Sequence, residues 1–327
     1  SKSVGNVVAP QAIIDQYGAD ILRLWVVNSD YSEDIGIGPE ILKQQADTYR
    51  RLRNTLRYLL GALGGFSESE RLPESEMPEL ERYILHRLWQ LDAHLRRACA
   101  DFEFHGFYAA LHNFCAVELS AFYFDIRKDS LYCDRPDALR RRATRTVMDH
   151  VFGCLTAWLA PVLCFTAEEA WLTRFPEGDS VHMRLFPDVP TAWRNDALAA
   201  KWAKIRDVRR VVTGVLELAR ADKKIGSSLQ GAPFVYTDPA YDDALAGLDL
   251  DEIFITSGVE RQPFDQRPAD AFTLPDVAGI AAAFRQANGE KCERCWRVLP
   301  EVGHQAGHAT LCARCADAVD HIAQAAD

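Results

Sequence analysis

The chain has 327 residues, a net charge of −10 and nine cysteines. That length holds two or three domains, each with its own core. An odd cysteine count in so long a chain excludes a small disulfide-stapled scaffold and points to a reducing, cytoplasmic setting. The longest uncharged run, Val151 to Ala167, is too short to span a bilayer and contains Pro161, so no membrane partner is expected.

In chain order, the string Ser1-Lys2-Ser3-Val4-Gly5-Asn6 is either a floppy terminus or a mobile loop whose ammonium holds polyphosphate. A helix is predicted from Pro10 to about Trp25, then an irregular Asn28–Gly38 segment. Pro39 suits the first turn of a long helix. Leu42, Tyr49, Leu52, Leu56, Leu59 and Leu63 share one face of it, and Gly64-Gly65 end it. Ser67–Pro78 reads as an acidic loop. A second helix runs from Leu80 to Ala100, with Leu80, Ile84, Leu88, Leu91 and Leu95 inward. A third, Phe104 to Arg127, carries Phe107, Tyr108, Phe114, Phe122, Tyr123 and Phe124, aromatic residues read as core. A fourth, Pro136 to Leu172, is expected to kink at Pro161. These four long helices predict an antiparallel bundle over residues 38–195.

After Asn195 the pattern changes. Trp202, Ile205, Val208, Val212, Val215 and Leu218 mark another helix, ending near Lys224. Three β-rich runs come next: Pro233–Thr237, Glu252–Thr256 and Val277–Arg285. The overall fold class is therefore mainly α: the bundle, a small α/β junction unit over 196–286, and a C-terminal zinc knuckle over 287–327. Residues 1–37 form a separate N-terminal piece.

The knuckle rests on Cys292-Glu-Arg-Cys295 and Cys312-Ala-Arg-Cys315, separated by sixteen residues. Each C-x-x-C pair aims two sulfurs at one point, and the spacer lets the pairs converge. Four thiolates satisfy zinc near 2.3 Å with no open position, so the metal is structural. The alternative is four free or disulfide-bonded thiols. His304 and His308 lie in the spacer as possible substitutes for a cysteine. The remaining cysteines, Cys99, Cys115, Cys133, Cys154 and Cys164, read as small buried thiols.

The net acidity conceals segregated charge. Acid collects in Glu68–Glu81 and Asp238–Glu252, base in Lys43–Arg57, Arg127–Arg145, Lys201–Lys224 and Arg285–Arg297. Any single basic run is most simply a solvated helix face. Four of them, ending at a zinc module beside a tryptophan, favour a nucleic-acid partner. Trp296 is the candidate base stacker, flanked by Arg294 and Arg297, and its alternative role is packing over the metal site. Arg140, Arg141 and Arg142 are candidate phosphate contacts. No phosphate-binding P-loop, dinucleotide fingerprint, zinc-protease helix or serine-nucleophile elbow occurs, and no complete active site can be assembled.

Several motifs carry a resemblance. Ser1–Asn6 resembles the tail of the K-M-S-K-S loop of class I aminoacyl-tRNA synthetases. Asp15-Gln-Tyr-Gly18-Ala-Asp20-Ile-Leu-Arg23-Leu-Trp25 resembles the helix after it in the Ile/Val/Leu/Met subgroup. Phe122-Tyr-Phe-Asp125-Ile-Arg-Lys128-Asp129-Ser-Leu-Tyr132, Leu159-Ala-Pro161 and Phe165-Thr-Ala-Glu168-Glu-Ala-Trp171 are similar to that subgroup's anticodon-binding bundle. Leu216-Glu217-x-Ala-Arg220-x-x-Lys223-x-Ile225-Gly226 continues the match beyond the bundle. Lys291-Cys292-Glu-Arg294-Cys295-Trp296 with the second C-x-x-C resembles the C-terminal zinc domain of bacterial isoleucyl enzymes. The resemblance implies a parent that activates isoleucine with ATP and loads its tRNA. It makes Lys2 the signature lysine for ATP and tRNA the partner. The H-I-G-H-type motif and the editing domain have no counterpart here, so the chain is expected to be a C-terminal fragment, inactive without its N-terminal catalytic and editing domains. Two other readings stay open: a zinc finger of the DNA-glycosylase type, and a stand-alone RNA-binding module.

Overall fold

The computed structural model describes residues 8–31 and 34–326. The Ser1–Asn6 string, with Lys2, lies outside the described residues. In chain order the helices are α1 (Pro10–Tyr17), α2 (Ala19–Asn28), α3 (Pro39–Ala62), α4 (Glu79–Ala100), α5 (Phe104–Asn113), α6 (Asp125–Cys133), α7 (Leu139–Leu159), α8 (Cys164–Arg174), α9 (Asp196–Ala221), α10 (Asp242–Leu245), α11 (Leu250–Phe254) and α12 (Ala313–Ala326). The strands are β1 (Phe234–Thr237), β2 (Glu260–Pro263), β3 (Phe272–Leu274), β4 (Val277–Ala283), β5 (Glu290–Lys291) and β6 (Val298–Leu299). The chain forms two compact units. One holds residues 1–125 and 142–194, the other residues 126–141 and 195–327.

The first unit is helical. The single helix expected at Pro10–Trp25 is two helices, because Gly18 sits at φ +91° between α1 and α2. Only glycine takes that conformation cheaply. Its core is the one the helical spacing of apolar residues implied. Leu52, Leu59, Ile84, Leu88 and Leu95 are fully enclosed, and the six aromatic residues of the third helix are all buried. That helix continues to Cys133, with Phe114–Phe124 wound as a π-helix between α5 and α6. The buried Glu81 carboxylate is satisfied by the Tyr123 hydroxyl at 3.1 Å and the Thr144 hydroxyl at 3.3 Å.

Pro161 breaks the fourth helix rather than kinking it. α7 ends at Leu159 and α8 starts at Cys164. The freed carbonyls of Pro161 and Val162 accept from the Arg23 guanidinium at 2.7 and 3.0 Å. Asp20 accepts from the backbone N–H groups of Phe165 and Thr166, capping α8. Two residues of the α2 motif therefore bind the turn that the proline creates and the start of α8.

In the second unit α9 packs on a four-stranded sheet of order β2-β1-β4-β3. β1 pairs parallel with β2 and antiparallel with β4. The predicted strand at Glu252–Thr256 is instead helix α11. Asp249 caps it by accepting from Glu252 N–H, and Ile255 closes it at φ 57°. A short apolar run does not by itself separate strand from helix, and the capping aspartate decided it. The actual second strand, Glu260–Pro263, is a polar edge strand ending in proline, which lacks the apolar signal. On α9, Trp202, Ile205, Val208, Val212 and Val215 are buried as expected, whereas Leu218 is exposed.

Candidate metal centre

The second unit ends in two knuckles. β5 and β6 pair in a hairpin with Glu290 opposite Leu299 and Lys291 opposite Val298. Gly289 enters the hairpin at φ +117°, where a Cβ would come within 2.2 Å of the Leu299 backbone. Between the strands the chain turns tightly, with Cys292 N–H donating to Arg297 O and Trp296 N–H to Cys292 O, both at 2.9 Å. This turn carries Cys292 and Cys295. The second pair sits at the entry to α12, where Ala313 N–H donates to Glu301 at 3.0 Å.

The geometry brings the four sequence-predicted sulfurs together. Cys292, Cys295, Cys312 and Cys315 are all buried, and their Sγ atoms lie within 4.8 Å of one another. The Cys295 and Cys312 sulfurs are 3.8 Å apart. Four bonds near 2.3 Å in a tetrahedron place sulfurs about 3.8 Å apart. The donor set therefore fits zinc in size, softness and number, and none of the nine cysteines is in a disulfide. Cys312 N–H also points at the Cys292 sulfur at 3.4 Å. The spacer histidines stay out of the cluster: His308 pairs with Asp320 at 2.7 Å, and His304 donates its backbone N–H to Glu301 O.

Trp296 stands outside this core. Its side chain is 61% exposed, and its backbone has φ 67°. A bulky residue in that left-handed region carries of order 1–2 kcal/mol of strain. The knuckle hydrogen bonds sustain that conformation, and most of the Trp296 side chain is left open to solvent. The Lys291 ammonium lies 5.3 Å from the ring centroid.

The flanking arginines face inward. Arg294 donates to the carbonyls of Cys133 and Tyr132. Arg297 donates to Asp251 at 2.9 Å and to Ser257 O at 3.3 Å. Arg140 pairs with Asp134 and Glu252, both at 3.0 Å, and Arg141 donates to the carbonyls of Leu131 and Pro136. In the first unit, Arg142 donates to the carbonyls of Glu70 and Ser69. The Arg127–Arg145 run is thus largely engaged inside the protein. Arg127 itself is almost wholly buried against Glu252 at 2.7 Å. Sequence reasoning missed Lys291 as part of the Trp296 surface, although its position one residue before Cys292 was visible. No helix among the described residues is long and apolar enough to cross a membrane.

Comparison with known proteins agrees with this geometry. Residues 81–235 match the family model "Anticodon-binding domain of tRNA ligase". Residues 1–38 match "tRNA synthetases class I (I, L, M and V)" and residues 289–318 match "Zinc finger found in FPG and IleRS". The chain is 54% identical to the isoleucine–tRNA ligase of Ruegeria pomeroyi over 96% of its length, covering 32% of that protein. It is 52% identical to that of Caulobacter vibrioides over 98% of its length, covering 33%. The agreement with Agrobacterium fabrum's isoleucine–tRNA ligase is 49% over 99%, again covering 33%. A solved leucyl enzyme–tRNA complex from Agrobacterium radiobacter overlays 60% of this chain and 22% of its own. The identity there is 17% and the TM-score 0.47, which carries no argument. The chain belongs to the isoleucine–tRNA ligase family of class I synthetases and spans about a third of the length of the curated relatives it matches.

Proposed function

We propose that this chain is the tRNA-gripping part of an isoleucine–tRNA ligase, binding the anticodon arm of isoleucine tRNA in the cytoplasm. The observation that carries the reading is Trp296. An exposed indole, held out in a strained backbone conformation beside a buried cysteine quartet, offers a flat apolar face to solvent. Single-stranded loop bases are recognised by stacking on such faces. Lys291 beside it supplies charge for a phosphate. Arg294 and Arg297 act by fixing the knuckle that presents the indole, and Arg140, Arg141 and Arg142 by holding the surfaces around them.

The quartet holds one structural zinc, which when bound supplies cross-linking and no chemistry. Cys292, Cys295, Cys312 and Cys315 are its ligands, and with all four positions filled none is left for a reacting water. In the longer protein, isoleucine is activated with ATP, Lys2 stabilises the pyrophosphate, and the product is passed to tRNA. The chain alone lacks the groups that orient ATP and isoleucine, so it should not support isoleucine-dependent pyrophosphate exchange.

The glycosylase-type reading shares only the finger. The ligase relatives align with 93–99% of the chain, far more than the finger. Filter-binding with the isoleucine tRNA anticodon arm tests the proposal, and failure to bind any RNA would refute it.

A further inference from the structure

The helical unit holds a cavity of about 360 Å³, lined by residues of α7, α8 and the segment after α8. Small-molecule sites run from roughly 300 to 1,000 Å³, so a small ligand fits. Trp171, Phe175 and Trp193 give apolar walls, and Gly153 leaves room between them. A Cβ at Gly153 would meet only the Arg184 guanidinium, at 3.9 Å. None of these residues belongs to the metal centre or to the Trp296 surface.

Arg184 is fixed in this wall on two sides. Its Nη1 donates to Gly153 O and to the Thr156 hydroxyl, both at 3.1 Å. Its guanidinium lies 4.0 Å from the Trp171 ring centroid, a cation–π contact that sets its plane. Among the described residues, Nε and Nη2 have no acceptor, and no carboxylate pairs with Arg184. Burial holds this guanidinium below the usual arginine range. The other lining arginine differs, because Arg174 is joined to Asp149. The open edge of a guanidinium is a fork that takes a carboxylate through two parallel bonds. The lining also includes Asp188, an exposed carboxylate with no partner among the described residues.

We propose that this cavity binds a free α-amino acid with a large apolar side chain. The carboxylate takes the Nε–Nη2 edge of Arg184, the ammonium faces Asp188, and the side chain lies among Trp171, Phe175 and Trp193. Charge decides the ligand class. A dianionic phosphate ester would set its second charge against Asp188, with Arg174 already joined to Asp149. A cationic ligand would meet the unpaired guanidinium. A neutral apolar ligand would leave the guanidinium donors covered and unsatisfied. A zwitterion with an apolar body answers Arg184, Asp188 and the aromatic walls together. The proposal does not rest on the RNA reading, which uses none of these residues.

L-Phenylalanine is the probe, titrated into the full chain by calorimetry. Phenylpropanoate, which lacks the ammonium, and phenethylamine, which lacks the carboxylate, are titrated beside it. Wild type should bind phenylalanine saturably, phenylpropanoate about ten-fold more weakly, and phenethylamine not at all. Gly153→Val, which grows into the cavity, should weaken phenylalanine binding at least about ten-fold in a chain that still melts cooperatively. Asp188→Asn should bring phenylalanine down to the affinity of phenylpropanoate. Arg184→Gln should abolish binding of both. Arg184 also ties its segment to α7, so if that variant does not fold, Gly153→Val and the ligand series decide. No saturable binding of phenylalanine to wild type overturns the proposal. So does equal binding of phenethylamine, or a Gly153→Val chain that binds as wild type does. Equal affinity for phenylalanine and phenylpropanoate overturns the role of Asp188 and with it the amino-acid class.

Discussion

Asp20 accepts two hydrogen bonds from Thr166, one from its backbone N–H at 2.9 Å and one from its hydroxyl at 2.7 Å. The carboxylate is buried, and it ties α2 to the first turn of α8. The pair explains why an aspartate stands in the Ala19–Arg23 stretch. A buried helix N-terminus leaves N–H groups that need an acceptor, and the proline-broken chain supplies none. Asp20→Ala should lower the unfolding free energy by about 1–2 kcal/mol, the range of a lost cap, readable in urea melts. An unchanged midpoint would show that water replaces the carboxylate.

Arg140 illustrates a basic residue that the charge pattern alone misplaces. It bridges Asp134 and Glu252, both largely buried. Arg140→Glu would leave those two acids facing a third, and should cost roughly 3 kcal/mol, as for a broken buried pair. The expected signature is a lowered melting temperature. A folded, equally stable variant that only binds RNA less would return Arg140 to the phosphate-contact role.

Burial and Arg71 hold the His150 imidazole below its ordinary range. Its folded pKa thus lies below its unfolded one, and the unfolded chain binds the extra proton first. The stability from His150 is present above the unfolded value of about 6.5 and is lost as pH falls below it. His150→Gln should flatten the drop in urea midpoint between pH 7.5 and pH 5.5. An identical drop in the variant would assign the acid sensitivity elsewhere.

Chelation should release one zinc per chain and free residues 287–318, because the four sulfurs hold together a hairpin of only two residues a strand and the start of α12. Hydrogen exchange is the readout. Fast exchange confined to this region is expected, and an unchanged pattern after metal removal would contradict it.

Much of this was legible from residue spacing. The Cys292/Cys295 and Cys312/Cys315 pairs converge as their intervals imply. The cores of α3 and α4 come from leucines at helical period. What escaped had local or long-range causes. Gly18 looked like a tolerated helix glycine, but its positive φ divides the helix. Glu260–Pro263 is a strand because β1 offers it an edge, not because its residues favour one. The arginines of the Arg127–Arg145 run look like a solvated face in sequence, yet their partners Glu252 and Glu70 are distant in the chain and only folding brings them together. Trp296 is already a candidate stacker in the C-x-x-C-W string, but its exposure and backbone angle, which bear on the packing alternative, are not written there.

The central claim is that Trp296 reads an anticodon-loop base beside a phosphate held by Lys291. Titration of the chain with the isoleucine tRNA anticodon arm and with an unrelated stem-loop, at several salt concentrations, tests it directly. Trp296→Ala should weaken binding to the cognate arm by about 1–3 kcal/mol with an unchanged salt slope, while zinc content stays at one per chain. Lys291→Glu should weaken binding to both RNAs and reduce the slope by roughly 0.7–0.9. Equal affinity for the two RNAs, with no effect of Trp296→Ala, would contradict the account.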